Sequence, residues 1–256
     1  MKITRLIYTS DLQGESFKSF DMVKKMSCLK EFGLEEALFP QKEPYELWKD
    51  GLALAGIKPR KIPDQKRAGV DIMKSARDYD ASLIVVNHEG RRKGAPSASL
   101  IKELINSPQH IPVLFVKNNV DASRKIAEGL FSHVVFATDW GSSSKKAFDA
   151  LMELKKMMKQ LDIINVIDRK LTIKDIRDIK NRLAETRRKC LGERIDAEAH
   201  IYAGKFYEEI LAAADDYKGT IILMGGRTRK TPFQDIFVKN DLQKVVEDST
   251  LPVFII

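Results

Sequence analysis

The chain reads as an α/β protein made of two tandem open five-stranded parallel-sheet domains. Three observations predict this. Short, nearly unbroken aliphatic runs alternate with longer stretches of helical periodicity, the pattern of βαβ units in a parallel sheet. The 256 residues exceed one typical domain and suit two of about 130. The pattern also repeats. Asp71–Tyr79 lies over Glu209–Tyr217 and Leu83–Val86 over Ile221–Met224, both at a shift of 138, whereas Ser10–Asp11 lies over Thr138–Asp139 at a shift of 128. The difference between the shifts makes the first copy ten residues shorter, all lost between its first and fourth strands. Domain boundaries are expected at 1–118 and 119–256, with the largely polar Asn118–Ser123 as the linker.

Taken in order, Ile3–Tyr8 is an expected buried strand ending at Thr9-Ser10-Asp11. A polar turn with Gly14 follows, and Phe17, Phe20, Val23 and Met26 recur at helical spacing. Glu36–Phe39 is a weak second strand stopped by Pro40. Pro44–Ala55 is a helix with Leu47 and Trp48 on its inner face. Lys58–Gln65 is ambiguous, because Pro59 and Pro63 each remove a backbone donor. Val70–Tyr79 is a helix and Leu83–Val86 a central strand. The helix Ser99–Asn106 and the strand Pro112–Val116 close the first half.

The second half restarts at Ser132–Asp139. Gly141-Ser142-Ser143-Ser144 opens a helix carrying Ala147, Phe148, Leu151 and Met152. Ile163–Ile167 and Ala197–Tyr202 are strands, separated by the long basic helix Ile173–Cys190. A helix Phe206–Tyr217 leads to the strand Ile221–Met224, and a helix from Asn240 leads to the last strand, Pro252–Ile256.

Composition narrows the function. Apolar residues make up 43% and charged residues 31%, enough for ordinary cores under a charged surface. No apolar run is long enough to cross a bilayer. The N-terminus enters a strand pattern directly, without the apolar region of a signal peptide. With two cysteines, Cys28 and Cys190, in separate helical patterns, a reducing, cytoplasmic setting is expected. The net charge of +8 is spread along the chain, with clusters at Arg91–Lys93, Arg187–Lys189 and Arg227–Lys230. No nucleic-acid-binding module accompanies it, so the clusters are either solvated surface or an anion-binding rim.

In parallel α/β sheets ligands bind beyond the carboxyl ends of the strands. There the chain places Asp11 and Asp139 after the first strand of each half, and Gly90 and Gly225 after the fourth. A strand-end carboxylate can accept a hydrogen bond from an adenine amino group or cap the helix that follows. The glycines either allow the turn or let backbone approach a ligand. Ser99, and Asn240 with Gln243 behind it, suit helix N-caps. Arg91, Arg92, Arg227 and Arg229 are candidate phosphate clamps.

These residues resemble the universal stress proteins, in two copies covering nearly the whole chain. The resemblance rests on the strands ending in Ser10-Asp11 and Thr138-Asp139, the helix–strand pair ending in Met224-Gly225, and the closing Pro-Val-hydrophobic strands. It implies the adenine-nucleotide alpha-hydrolase-like fold and, as in some members, binding of ATP or AMP. In that family an Asp after the first strand contacts adenine, and a Gly-x2-Gly-x9-Gly-[Ser/Thr] loop follows the fourth strand. In the second half Asp139, following Thr138, matches the adenine Asp. Val166 matches the apolar residue flanking the base, and Met224-Gly225 the start of the loop. Thr228 replaces the second glycine and, allowing one inserted residue, Lys239-Asn240 replace the final pair. In the first half Asp11 matches the Asp and Leu38 the apolar contact. Asn87 replaces the first glycine, Gly90 fits the second, and Ser97 and Ser99 precede the helix as candidate phosphate donors.

The last strand of single-copy relatives pairs across a dimer. Val113–Val116 and Val253–Ile256 are therefore expected either to pair within this chain or to build a homodimer interface. No P-loop is present. His88, His110, His133 and His200 have no metal-ligand spacing, and no Ser-His-Asp or Cys-His set can be argued. His88 reads as a surface loop residue or a ligand contact. The expectation is a stress-response protein that binds an adenine nucleotide in at least one half without turning it over. A nucleotide-free interaction module is the alternative.

Overall fold

The described strands pair into one ten-stranded sheet. The computed structural model describes residues 3–10, 33–40, 45–63, 69–90, 96–107, 111–117, 129–226 and 241–256. The first half contributes β1 (Arg5–Ser10), β2 (Glu36–Pro40), β3 (Lys58–Ile62), β4 (Leu83–His88) and β5 (Val113–Lys117), with helices α1 (Tyr45–Leu54), α2 (Gly69–Asp78) and α3 (Pro96–Ile105). The second contributes β6 (His133–Ala137), β7 (Gln160–Ile167), β8 (Asp196–Ala203), β9 (Ile221–Met224) and β10 (Val253–Ile255). Its helices are α4 (Ser142–Glu153), α5 (Ile173–Gly192), α6 (Phe206–Asp216) and α7 (Asp241–Asp248).

The strand order β3-β2-β1-β4-β5-β10-β9-β6-β7-β8 is the same doubly wound order twice, head to head. Within each half all pairs are parallel. The halves join through the antiparallel pair β5–β10, with Phe254 opposite Leu114. The expected pairing of the closing strands therefore occurs inside one chain. Phe131 packs edge-on against Phe254 beneath this seam, and Gln243 Nε2 of α7 donates to the Ala98 carbonyl of α3 across it.

Both sheet faces are covered, which is why the central strands read as unbroken apolar runs. Side chains alternate between two cores with period two. Leu6, Tyr8, Leu83, Val85, Ile221 and Leu223 enter the core shared with α1, α4 and α5. Ile7, Ile84, Val86, Ile222 and Met224 enter the one shared with α2, α3, α6 and α7.

Several expectations change. The ambiguous Lys58–Gln65 is a strand over Lys58–Ile62. It lies at the sheet edge, where a proline costs no ladder bond. The helix expected from Ser99 starts at Pro96, since proline fits the first helical position. Ser99 therefore lies within the first turn, and its hydroxyl donates to Glu103 instead of capping. Gln243 bonds Ala98 and Glu247 rather than turning back to its helix start. The helical pattern of Phe17–Met26, the linker, Asp11, Asn240, Cys28, Arg91, Arg92, Arg227 and Arg229 lie outside the described residues, as does the side chain of Ser97.

Candidate functional site

The carboxyl end of β6 shows how the second half builds its rim. Thr138 extends the ladder by donating to the Ile164 carbonyl, and its hydroxyl accepts from the Trp140 backbone. Trp140 has φ of +57°, a conformation that non-glycine residues rarely hold without support. Its support comes from α5. The indole Nε1 donates to Thr186 Oγ1 at 3.2 Å, and the Arg182 guanidinium lies over the ring. This bend leaves Asp139 at the mouth of the turn. Asp139 Oδ1 accepts from the Gly141 backbone at 2.8 Å and from the Ser144 hydroxyl at 2.5 Å. Helix α4 itself has Gly141 at its N-cap and no side-chain cap bond, so Asp139 does not cap it but closes the turn before it, with both bonds on the same oxygen.

Asp139 also lines a cleft of about 200 Å³ with Trp140, Asn165, Val166, Asp168 and Arg182. Asn165 was not singled out from the sequence. The signal was an amide side chain within the aliphatic run Ile163–Ile167. Its Nδ2 donates to the Thr138 carbonyl at 2.8 Å, while its buried Oδ1 has no partner. A buried acceptor without a donor is destabilising, and Asn165 also lines the cleft. The remaining wall comes from α5, whose start is fixed by a capping box between Thr172 and Asp175. The Thr172 hydroxyl and backbone N–H hold the Asp175 carboxyl below its usual range. Asp139, Asp168, Asp175 and Asp178 outnumber Arg169 and Arg182 around the cleft. That balance suits amino and hydroxyl donors better than a polyphosphate.

The other expected residues divide. Val166 lines the cleft. Met224, expected at the start of the loop, is the buried last residue of β9, and its side chain lies in the core. Gly225 serves packing: a Cβ there would lie 2.5 Å from the Ser143 carbonyl carbon and 2.6 Å from the Ser144 nitrogen. The first turn of α4 thus rests directly on the end of β9.

In the first half only Leu38, Asn87, Gly90 and Ser99 of the expected set are described in full. Leu38 and Asn87 have no exposed surface, because β2 and β4 are covered on both faces. The Asn87 amide finds no hydrogen-bond partner. Gly90 is buried with φ of +82°, and a Cβ would meet Lys117 Cε at 2.4 Å and the Glu247 carbonyl at 2.9 Å. It is used where α7 of the other half comes close. His88 is the buried last residue of β4, not a surface loop residue. Its Nδ1 accepts from the Gly90 backbone at 3.0 Å, and its ring meets Phe115 edge-on. Burial and the nearby Lys117 charge lower its pKa to about 4.

The structure also makes a histidine constellation that spacing did not reveal. His133 of β6 and His200 of β8 both reach Asp162 of β7, at 2.5 and 2.9 Å, through their Nε2 atoms. Tyr217 hydrogen-bonds His200 Nδ1 at 3.1 Å and stacks on its ring. With both rings neutral, each Nε2–H donates to the carboxylate and the Tyr217 hydroxyl donates to His200 Nδ1, so every bond has a donor and an acceptor. Asp162→Ala leaves two imidazoles without their acceptor and should lower unfolding free energy by about 2 kcal/mol. Asp162→Asn should cost about 1 kcal/mol, since the rings can exchange tautomers to meet an amide. Urea denaturation of both variants checks this, and equal losses would exclude the tautomer argument. Cys190 is buried, which pushes its thiol up to about 11 and leaves it unreactive.

No protein-family model matches the chain, and no curated protein matches it. Solved structures do. A universal stress protein from Archaeoglobus fulgidus aligns over 98% of this chain and 95% of its own, at 20% identity and a TM-score of 0.72. A protein from Pseudomonas aeruginosa UCBPP-PA14 aligns over 99% of this chain and 93% of its own, at 13% identity and a TM-score of 0.65. A functionally unknown protein from Pseudomonas aeruginosa PAO1 aligns over 99% and 92%, at 14% identity and a TM-score of 0.62. The chain thus has the universal stress protein fold in tandem. Among the described residues, no helix is long and apolar enough to cross a membrane.

Proposed function

We propose that this is a cytoplasmic tandem universal stress protein whose second half binds the adenosine end of an adenine nucleotide, AMP or ATP. Binding would tune its conformation or partners in a stress response, without turnover. Asn165, whose buried Oδ1 has no partner, lines the cleft beside Asp139, and this carries the reading. Two acceptors at one strand-end cleft fit an exocyclic amine, and Val166 offers an apolar flank. The cleft volume is below the roughly 300 Å³ at which sites for whole small molecules begin. It therefore suits the base, with the expected phosphate side at Asn240 outside the described residues. The first half acts in this reading as the structural partner of the second, since Gly90 and Asn87 are enclosed.

Calorimetric titration of the full chain with AMP and ATP tests the proposal. Saturable binding is expected, weakened about tenfold in Asn165→Leu by loss of one buried hydrogen bond, worth about 1.4 kcal/mol. Prolonged incubation with ATP should release no phosphate. Absence of heat at millimolar nucleotide, or Asn165→Leu binding as tightly as the parent, would overturn it. In that case the nucleotide-free interaction module is the better description.

A further inference from the structure

A second cavity, of about 420 Å³, opens between α4 and α5. Its floor is Phe136 of β6 and Phe148 of α4, whose rings lie 5.9 Å apart. Trp140 forms a third aromatic wall. Lys145 comes from α4, and Arg182 and Lys189 from α5, against one carboxylate, Asp149. Lys189 is paired with Glu185 one turn away on the solvent side, and Arg182 lies over the Trp140 ring. Lys145 has no ion-pair partner among the described residues and stands exposed at the rim. The cavity shares Trp140 and Arg182 with the cleft beside Asp139, but Asp139, Asn165 and Val166 do not line it, so its ligand does not have to be the nucleotide.

We infer that the α4–α5 cavity is a second ligand site, for a small aromatic carboxylate. The volume lies within the roughly 300–1,000 Å³ of small-molecule sites. Three aromatic side chains favour a flat ring system, which gains from edge and face contacts beyond its buried area. The cationic rim is complementary to an anionic group on the same molecule. An adenine nucleotide is a poor match: the only carboxylate lining the cavity is Asp149, and no buried orphan acceptor faces an amino group there.

The test is ligand-observed NMR and calorimetric titration of the full chain with 2-naphthoate and with its uncharged analogue 2-naphthalenemethanol. Saturable 2-naphthoate binding is expected, with the alcohol weaker by about tenfold. Lys145→Glu should weaken 2-naphthoate by about tenfold through reversal of a rim charge. Lys174→Glu, an equal charge change near the start of α5 and outside the cavity, should change it less than about twofold. Both lysines are exposed, so both variants should unfold at the parent's temperature, and circular dichroism verifies this. Absence of 2-naphthoate binding at millimolar concentration, equal binding of the alcohol, or equal effects of the two charge reversals would overturn the assignment. AMP titration of the same samples reports on the other cleft, so the two sites can fail separately.

Discussion

Gly225→Ala is expected to lower unfolding free energy by about 3 kcal/mol, the upper end for overpacking. The added carbon would lie 2.5 to 2.7 Å from three backbone atoms of Ser143 and Ser144. Flexible side chains can swing away from such a contact, but a helix backbone cannot. The first turn of α4 would therefore have to withdraw by close to 1 Å to restore ordinary contact. Ser144 would then move away from Asp139 Oδ1, and the turn that carries Trp140 would lose its anchor. Nucleotide affinity should fall together with stability, although Gly225 does not line the cleft. Chemical denaturation and AMP titration of the same variant measure the two effects. A fully stable Gly225→Ala would mean that α4 does not rest on β9.

The second large effect is acid sensitivity from His88. Its pKa is about 4 in the fold against an ordinary value of 6.5. Above pH 6.5 the ring is neutral in both folded and unfolded chains, and the protein keeps the full stability of the buried neutral form. As pH falls from about 6.5 to about 4, the unfolded chain takes up a proton that the folded one refuses. Stability then drops by about 1.4 kcal/mol per pH unit, for a total of about 3 kcal/mol. Below pH 4 both forms are protonated and this group contributes no further loss. The groups packed against the ring are the Gly90 amide, the Phe115 edge and the Lys117 ammonium. His88→Asn keeps an acceptor for the Gly90 amide without titrating, so its stability should be flatter over that window. Urea midpoints from pH 7 to pH 4 compare the two, and parallel slopes would remove His88 as the cause.

The fold was legible because burial on both faces writes a strand as an unbroken aliphatic run. Leu83–Val86 and Ile221–Met224 could hardly be anything else. Legibility failed where burial was one-sided or the strand outran its apolar run. β3 is Lys-Pro-Arg-Lys-Ile, an edge strand without an aliphatic signature. β4 continues two residues past Val86, so Asn87 and His88 were read as loop although both are interior. At the site, Asp139 was expected because strand ends are where ligands bind and Val166 from the resemblance, and both line the cleft. Asn165 was missed because its importance lies in an unmet hydrogen bond, and sequence records the amide but not its partners. His133, Asp162 and His200 were invisible for a related reason. They are 29 and 38 residues apart along the chain, and only the β6–β7–β8 register makes them neighbours.

The antiparallel β5–β10 junction has a further consequence. Two separate subunits related by a two-fold axis carry one sequence, so any change that fills the rim of one fills the rim of both. Encoding both lobes in one polypeptide lifts that constraint. One lobe was free to bury Gly90, Asn87 and His88 while its sibling kept a crevice beside Asp139. The tether also holds the lobes at an effective concentration in the millimolar range, so their association survives dilution that would separate independent subunits.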